Sequence, residues 1–336
     1  MQLVVVAGGF GTRLRPLTFA RPKALLPLLN RPQILHLFDR FPDSIDEVLI
    51  AANYGFAQLR DFFKGQDLGR RVVVVEEPEP LGTGGALKNV EGRIGGTFAA
   101  YNGDVVDSLD LAAFVRFHRT YGRIASLAVW PVEDPSAFGV VALEGTRVTK
   151  FVEKPKKVEA PSNLVNAGRY VFEPEIFDFI ESGREVSMER EVFPKLIAEG
   201  VHAFRYEGFW SDAGTLSSYL RAQSLLLEAG HASVSPRSDV SRAQFRAPVL
   251  VPDGCFVEGI VGPNVVLGRG TRIARATVSD AALLEGASVD DRADVGSSIV
   301  GSGAAIGEGA VVKNSIIGDG VLVEPYAKVV EARLKA

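Results

Sequence analysis

The chain has 336 residues, 46% of them hydrophobic, which is enough for one large domain or two ordinary ones with a packed core and excludes wholesale disorder. A formal net charge of −4 with mixed signs provides no chain-wide basic field, so no nucleic-acid partner is expected and any phosphate must be held locally. The single cysteine, Cys255, excludes an internal disulfide or multi-cysteine metal cluster and reads as a small buried residue; with no apolar run long enough for a membrane span, a cytoplasmic protein is expected.

From residue 1 to about 130, short apolar runs alternate with amphipathic stretches, the pattern of an α/β fold with a Rossmann-like, doubly wound mixed sheet. Strands are predicted at 2–7, 47–52, 71–76, 97–101 and 124–130, with helices at 32–41, 56–64, 83–90 and 109–121 between them. Pro32 stands at the first position of the first helix, where a missing N–H costs nothing. In open sheets of this kind ligands gather at the carboxyl ends of strands, and segments 8–13, 77–85 and 102–104 all follow such ends. Further strands are expected within 138–153 and 201–212, and helices near 174–181, 188–199 and 215–229.

After about residue 230 the helical period stops and Gly-dense segments such as "VGSSIVGSGAAIGEGAVV" begin. Val261, Leu267 and Ile273 are six apart, and Val278, Leu284, Val289, Val295, Val300, Ile306, Val312, Ile317, Val323 and Val329 follow at steps of five or six. This is the hexapeptide signature of a left-handed parallel β-helix, each coil burying aliphatics on its neighbours. Two domains are therefore expected, at 1–232 and 247–336, with the β-helix supporting a homo-oligomer.

The stretch "VVVAGGFGTRLRPLTFARPK" runs from an apolar strand into Gly8, Gly9 and Gly11 and then reaches Arg13 and Lys23. Glycines after a buried strand let backbone N–H groups approach a bulky anion, so a phosphate cradle is expected here. "GGFGTR" lacks the third glycine of the dinucleotide fingerprint, and no Gly-Lys-Ser/Thr closes it as a P-loop requires. The full string AGGFGTRLRPLT with PKALLP instead resembles the signature of the sugar-phosphate nucleotidyltransferases, which join a nucleoside triphosphate to a sugar 1-phosphate and release pyrophosphate.

The resemblance continues through six segments in order over the first 230 residues. It implies that Ala7, Gly8, Gly9, Gly11, Thr12, Arg13 and Lys23 contact the nucleotide, and that "EEPEPLGTGGAL" supplies Glu77, Pro80, Gly82 and Thr83 around the base. "YNGDVV" is similar to the family's Asn-Gly-Asp, giving Asn102 and Gly103 on the nucleotide and Asp104 on a magnesium ion, with Asp212 of "FWSDAGT" as the second metal ligand. "SAFGVV", "FVEKP" and "VNAGRYVF" imply Gly139, Glu153, Lys154 and Asn166 at the sugar phosphate. Within the family, "HRTYG", "EDPSAFGVV" and "MEREVFPKLIAEG" look most like the mannose-1-phosphate guanylyltransferases that carry a β-helix.

The chemistry asks for these residue types. A sugar phosphate attacking an α-phosphorus brings two polyanions together, so positioning and charge neutralisation dominate and Arg13, Lys23, Asp104 and Asp212 are the catalytic candidates. A carboxylate at Glu77 suits guanine, whose N1–H and N2 amino group are adjacent donors, better than uracil or thymine, which offer one N–H between carbonyls. Other readings are a glucose-1-phosphate thymidylyl- or uridylyltransferase and a paralogue that senses nucleotide sugar without turnover. An acyltransferase site in the β-helix is disfavoured, because His36, His118, His202 and His231 all precede the repeats.

Overall fold

The run QLVVV forms strand β1, Gln2–Val6, inside a nine-stranded mixed sheet of the computed structural model, which describes residues 1–335. The other strands are β2 Glu47–Ala52, β3 Arg71–Glu76, β4 Phe98–Asn102, β5 Ala125–Pro131, β6 Gly139–Glu144, β7 Arg147–Glu153, β8 Leu164–Phe172 and β9 His202–Arg205. They lie in the order β3-β2-β1-β4-β8-β5-β9-β7-β6. Parallel pairing runs from β3 to β4, with Val4 opposite both Leu49 and Ala100, and these run apolar because both faces are covered. Strand β8 then pairs antiparallel with β4 and β5. It is absent from the predicted strands, since Asn166 and Gly168 interrupt its apolar pattern and its register shifts between Asn166 and Tyr170.

Helices α1 Phe56–Lys64, α2 Gly82–Lys88 and α3 Leu111–Tyr121 stand where they are expected. The predicted helix at 32–41 is only one turn, Leu35–Phe38. Pro32 belongs instead to a hairpin in which Pro27 and Leu28 pair with Pro32 and Arg31, and the Gln33 and Ile34 N–H groups donate to Leu26 and Ala24 carbonyls. The segment expected as a helix near 174–181 is a 3-10 helix, Pro174–Phe179. That near 188–199 opens as a π-helix, Met188–Val192, before one α-turn, Phe193–Leu196. Pro194 has no N–H to donate there, so a regular α ladder cannot run through it.

Contacts divide the chain into two compact units that alternate along it. The first, Met1–Gly9 with His36–Trp210, holds the nine-stranded sheet. The second combines Phe10–Leu35 with the residues from Ser211 onward. It contains three short 3-10 turns, helix α4 Leu216–Leu226 and a parallel β-helix whose faces are sheets of seven, six and five strands.

Coil length explains the irregular repeat. Val261 pairs with Val278, Val278 with Val295, Val295 with Val312 and Val312 with Val329, a step of 17 residues in which two sides take six and one takes five, whereas Val249 with Val265, Leu267 with Leu283 and Ile273 with Val289 step by 16. Stacked Val, Ile, Leu and Ala fill the interior. Asn264, Asp280, Ser297, Asn314 and Glu331 turn successive coils in the left-handed backbone region, where short polar side chains are tolerated. Among the described residues no helix is long and apolar enough to cross a membrane.

Candidate active site

In the first unit, β1 delivers Ala7, whose N–H donates to Ala51 O at 2.8 Å, and then Gly8 and Gly9. A Cβ on Gly8 would lie 2.9 Å from Glu77 Oε1 and 3.2 Å from the Asn53 nitrogen, so the carboxylate lies against the glycine backbone. Glu77 follows the end of β3. Its main chain is fixed by Ala52 O at 2.9 Å and by Asn53 Nδ2 at 2.8 Å, and the side chain is 4% exposed. Burial raises the Glu77 pKa, opposed by a hydrogen bond from the Leu81 backbone. Its Oε1 is buried and has no hydrogen-bond partner among the described residues. An ionised oxygen left so is costly unless a donor reaches it.

The Leu-Gly-Thr turn after the exposed Pro80 is built around a backbone neighbour. Gly82 has φ +70°, and a Cβ there would come within 2.6 Å of Val186 O, so only glycine fits. The Thr83 hydroxyl donates to Glu189 at 2.8 Å and accepts the Met188 N–H at 2.9 Å, so this side chain fastens the turn to the segment after Val186.

At the end of β4, Asn102, Gly103 and Asp104 form the next loop, with the Gly103 N–H donating to Val6 O at 2.9 Å. Its brace is Arg169. This fully buried guanidinium donates to Asp107 at 2.7 Å, to Asn102 O at 2.8 Å and to Val105 O at 2.7 Å, and it stacks 4.2 Å over the Tyr101 ring. Sequence reasoning missed it. The available signal was an arginine inside the apolar run "NAGRYVF", a buried charge that needs partners.

The sugar-phosphate candidates gather on β6, β7 and β8. Gly139 pairs with Glu153 in register, and Lys154 at φ +50° follows, its N–H on Phe138 O and its ammonium 3.4 Å from Glu153. Asn166 accepts from the Gly168 N–H at 3.1 Å and donates to the Tyr170 hydroxyl at 2.7 Å, so its amide is oriented by its own bulge. Of the histidines, His118 is buried between Ser126 at 2.9 Å and Glu173 at 3.3 Å, and burial lowers its pKa, as a packing residue requires. Cys255 is likewise buried, its thiol on Gly268 O.

The second unit carries Gly11, Thr12, Arg13, Lys23 and Asp212. Gly11, at φ +61°, starts the Thr12–Leu14 turn, and the Thr18 hydroxyl donates to its carbonyl at 2.9 Å. A Cβ on Gly214 would lie 2.8 Å from Asp212 Oδ2 and 2.9 Å from Arg13 Nη2. The predicted metal carboxylate and the predicted phosphate guanidinium thus flank one glycine. Sequence reasoning did not single out Gly214. No three His, Cys, Asp or Glu side chains among the described residues gather to hold a metal by themselves.

The model of the nucleotidyl transferase family matches residues 2–229, and that of a domain described as the GMPPB C-terminal domain matches 247–334. The chain belongs to the nucleotidyl transferase family. A mannose-1-phosphate guanylyltransferase of Mycobacterium tuberculosis is 37% identical over 87% of this chain and 83% of its own length. Mannose-1-phosphate guanylyltransferase 1 of Arabidopsis thaliana is 36% identical over 83% of this chain and 81% of its own. Among solved structures, HddC from Yersinia pseudotuberculosis complexed with GMP-PN aligns with TM-score 0.56 at 25% identity, covering 66% of this chain and 97% of that one. This nucleotidyl transferase is an enzyme of sugar-phosphate nucleotidyl transfer, and its family uses a divalent metal.

Proposed function

We propose that this nucleotidyl transferase moves a guanylyl group from GTP to mannose 1-phosphate. A phosphate oxygen of the sugar phosphate attacks the α-phosphorus, the bond from that phosphorus to the bridging oxygen breaks, and pyrophosphate leaves, giving GDP-mannose. The nucleophile is already ionised at neutral pH, so no general base is needed and the protein acts by positioning and charge. Names of the relatives favour this substrate pair. The observation that carries the guanine assignment is the buried, unpartnered Glu77 Oε1 beside Gly8. A charged acceptor there matches two adjacent donors on a base edge.

In this reading the backbone of Ala7, Gly8, Gly9, Gly11 and Thr12 cradles the triphosphate, with Arg13 as a planar fork and Lys23 as a point charge on the phosphates. Pro80, Gly82, Thr83, Asn102 and Gly103 line the nucleoside. Gly139, Glu153, Lys154 and Asn166 take the sugar phosphate, Lys154 on the phosphate and Glu153 on hydroxyls. Asp104 and Asp212 are hard oxygen donors too few to cage an ion, which fits magnesium, since it keeps waters and substrate phosphates beside one or two carboxylates. When bound, such an ion neutralises phosphate charge.

The reading places the catalytic region at 1–232 and the β-helix at 247–336, in a cytoplasmic homo-oligomer joined through the β-helix. Exposed Leu322, Tyr326 and Val330 on its last coil, at 61%, 66% and 44%, favour such a contact. The test is pyrophosphate release from each common nucleoside triphosphate with mannose, glucose or N-acetylglucosamine 1-phosphate. GTP with mannose 1-phosphate should give the highest kcat/KM. Preference for UTP or dTTP with glucose 1-phosphate would replace this reading.

A further inference from the structure

The segment that carries Arg13 and Lys23 has little structure of its own. Between Phe10 and Leu35 it forms three 3-10 turns of three residues each and a two-residue hairpin, too short to hold a shape unaided. Its partners within the second unit lie on the β-helix and on α4. Arg21 forms an ion pair with Asp319, in the turn of a late coil, and the other oxygen of Asp319 accepts the Ser302 N–H of the preceding coil at 2.8 Å. Both side chains are mostly covered, 23% and 29% exposed, so this pair is screened less than a free surface pair.

Beside it, a Cβ on Gly318 would come within 3.0 Å of Pro16, so loop and coil touch directly. At the other end of the segment Asn30, held at φ +62°, donates to Leu267 O at 2.7 Å. The Tyr219 hydroxyl on α4 donates to Pro27 O, while Gln223 of the same helix donates to Asn264 O and Ala281 O at 2.9 and 3.0 Å. The segment is therefore tied at residues 16, 21 and 30 to the coils and at 27 to α4, and only Pro22 separates Arg21 from Lys23.

We propose that the β-helix is a working part of the triphosphate site: it holds the Phe10–Leu35 segment in the shape that presents Arg13 and Lys23, with Arg21, Asn30 and Asp319 as positioning residues. This rests on the triphosphate reading of Arg13 and Lys23. It gives the repeat domain a role in catalysis distinct from assembly, through a loop that comes from the opposite end of the sequence.

The test uses the full chain with Arg21→Gln, Asp319→Asn, and the charge exchange Arg21→Asp with Asp319→Arg. Small misplacement of positioning groups can cost two orders of magnitude, so each single variant should lose about ten- to a hundredfold in kcat/KM for the nucleoside triphosphate. KM for the sugar phosphate should stay within about twofold, and the exchanged pair should regain part of the loss, since it restores the ion pair while the Ser302 N–H loses its acceptor. Amide hydrogen exchange should quicken across 10–35 and stay unchanged across 47–76. Arg21→Gln leaves the coil untouched, so it serves if Asp319→Asn fails to fold. Unaltered exchange in 10–35, an equal rise in both KM values, or activity lost only together with a fall in oligomer mass by light scattering would overturn the proposal. A wild-type protein that releases no pyrophosphate from any triphosphate would overturn the function reading, and hydrogen exchange would then still decide the brace.

Discussion

The nine-stranded sheet and the coils of the β-helix handle buried polar groups differently. In the sheet unit the interior holds a full guanidinium, Arg169, satisfied on three sides, and a carboxylate, Glu77, with one oxygen unsatisfied. The coils are filled mainly by aliphatic side chains, their buried Thr271, Ser298 and Ser315 hydroxyls each donate to a backbone carbonyl, and ion pairs such as Arg242 with Glu258 and Lys313 with Asp294 stay on the outside. In the reading proposed above, the sheet unit meets the base through Glu77 and the repeat coils supply shape. The Phe10–Leu35 segment is tied to the coils at the Asp319 carboxylate and the Leu267 carbonyl.

That contrast is broken most severely at Arg169. Arg169→Ala leaves Asp107 buried without its partner, and loss of one member of such a pair costs about 3–5 kcal/mol. Chemical denaturation should show that loss, and a change below 1 kcal/mol would mean that the loop carrying Asp104 stands without the guanidinium. Asp104→Ala and Asp212→Ala should keep the fold and lower metal-dependent turnover by about a thousandfold, near 4 kcal/mol. Either variant keeping its rate at limiting magnesium is not a metal ligand. Lys154→Ala should raise KM for the sugar phosphate by about ten- to a hundredfold, the worth of a charge-assisted bond, with triphosphate KM near normal. An equal rise in both would move Lys154 to the triphosphate. The mildest change is in the repeats, where Ile306→Val should cost only about 0.5–1.5 kcal/mol and leave kinetics untouched. A larger kinetic effect would contradict the passive role assigned to that interior.

Much of this was legible in the sequence. Strands 47–52 and 71–76 match to the residue, because unbroken Val and Ile runs between turn signals leave few alternatives. The five-residue steps in the repeat were visible, and coils of 16 and 17 residues, short of three full hexapeptides, are their cause. What escaped was set by contacts distant in the chain. Pro32 reads locally as a helix start, yet pairing with Pro27 makes it a strand. Arg169 and Asp107 lie 62 residues apart, and no local pattern joins them. The glycines of 82–85 suggest ligand approach, whereas at Gly82 the crowding group is Val186 O.

Glu77 carries the central claim, that a buried carboxylate selects guanine. Because burial raises its pKa in the fold, the ionised side chain weakens stability once pH exceeds that raised value, and the cost vanishes below the ordinary carboxylate range. Glu77→Gln should therefore gain stability relative to wild type at neutral pH, an advantage that shrinks as pH falls through that window. The decisive measurement on the same variant is the ratio of kcat/KM for GTP to that for UTP at saturating mannose 1-phosphate. A lost charge-assisted bond is worth roughly 1–3 kcal/mol, so the ratio should fall about ten- to a hundredfold, with ATP poor in both proteins. A ratio that does not fall would contradict the assignment of Glu77 as the group that reads the base.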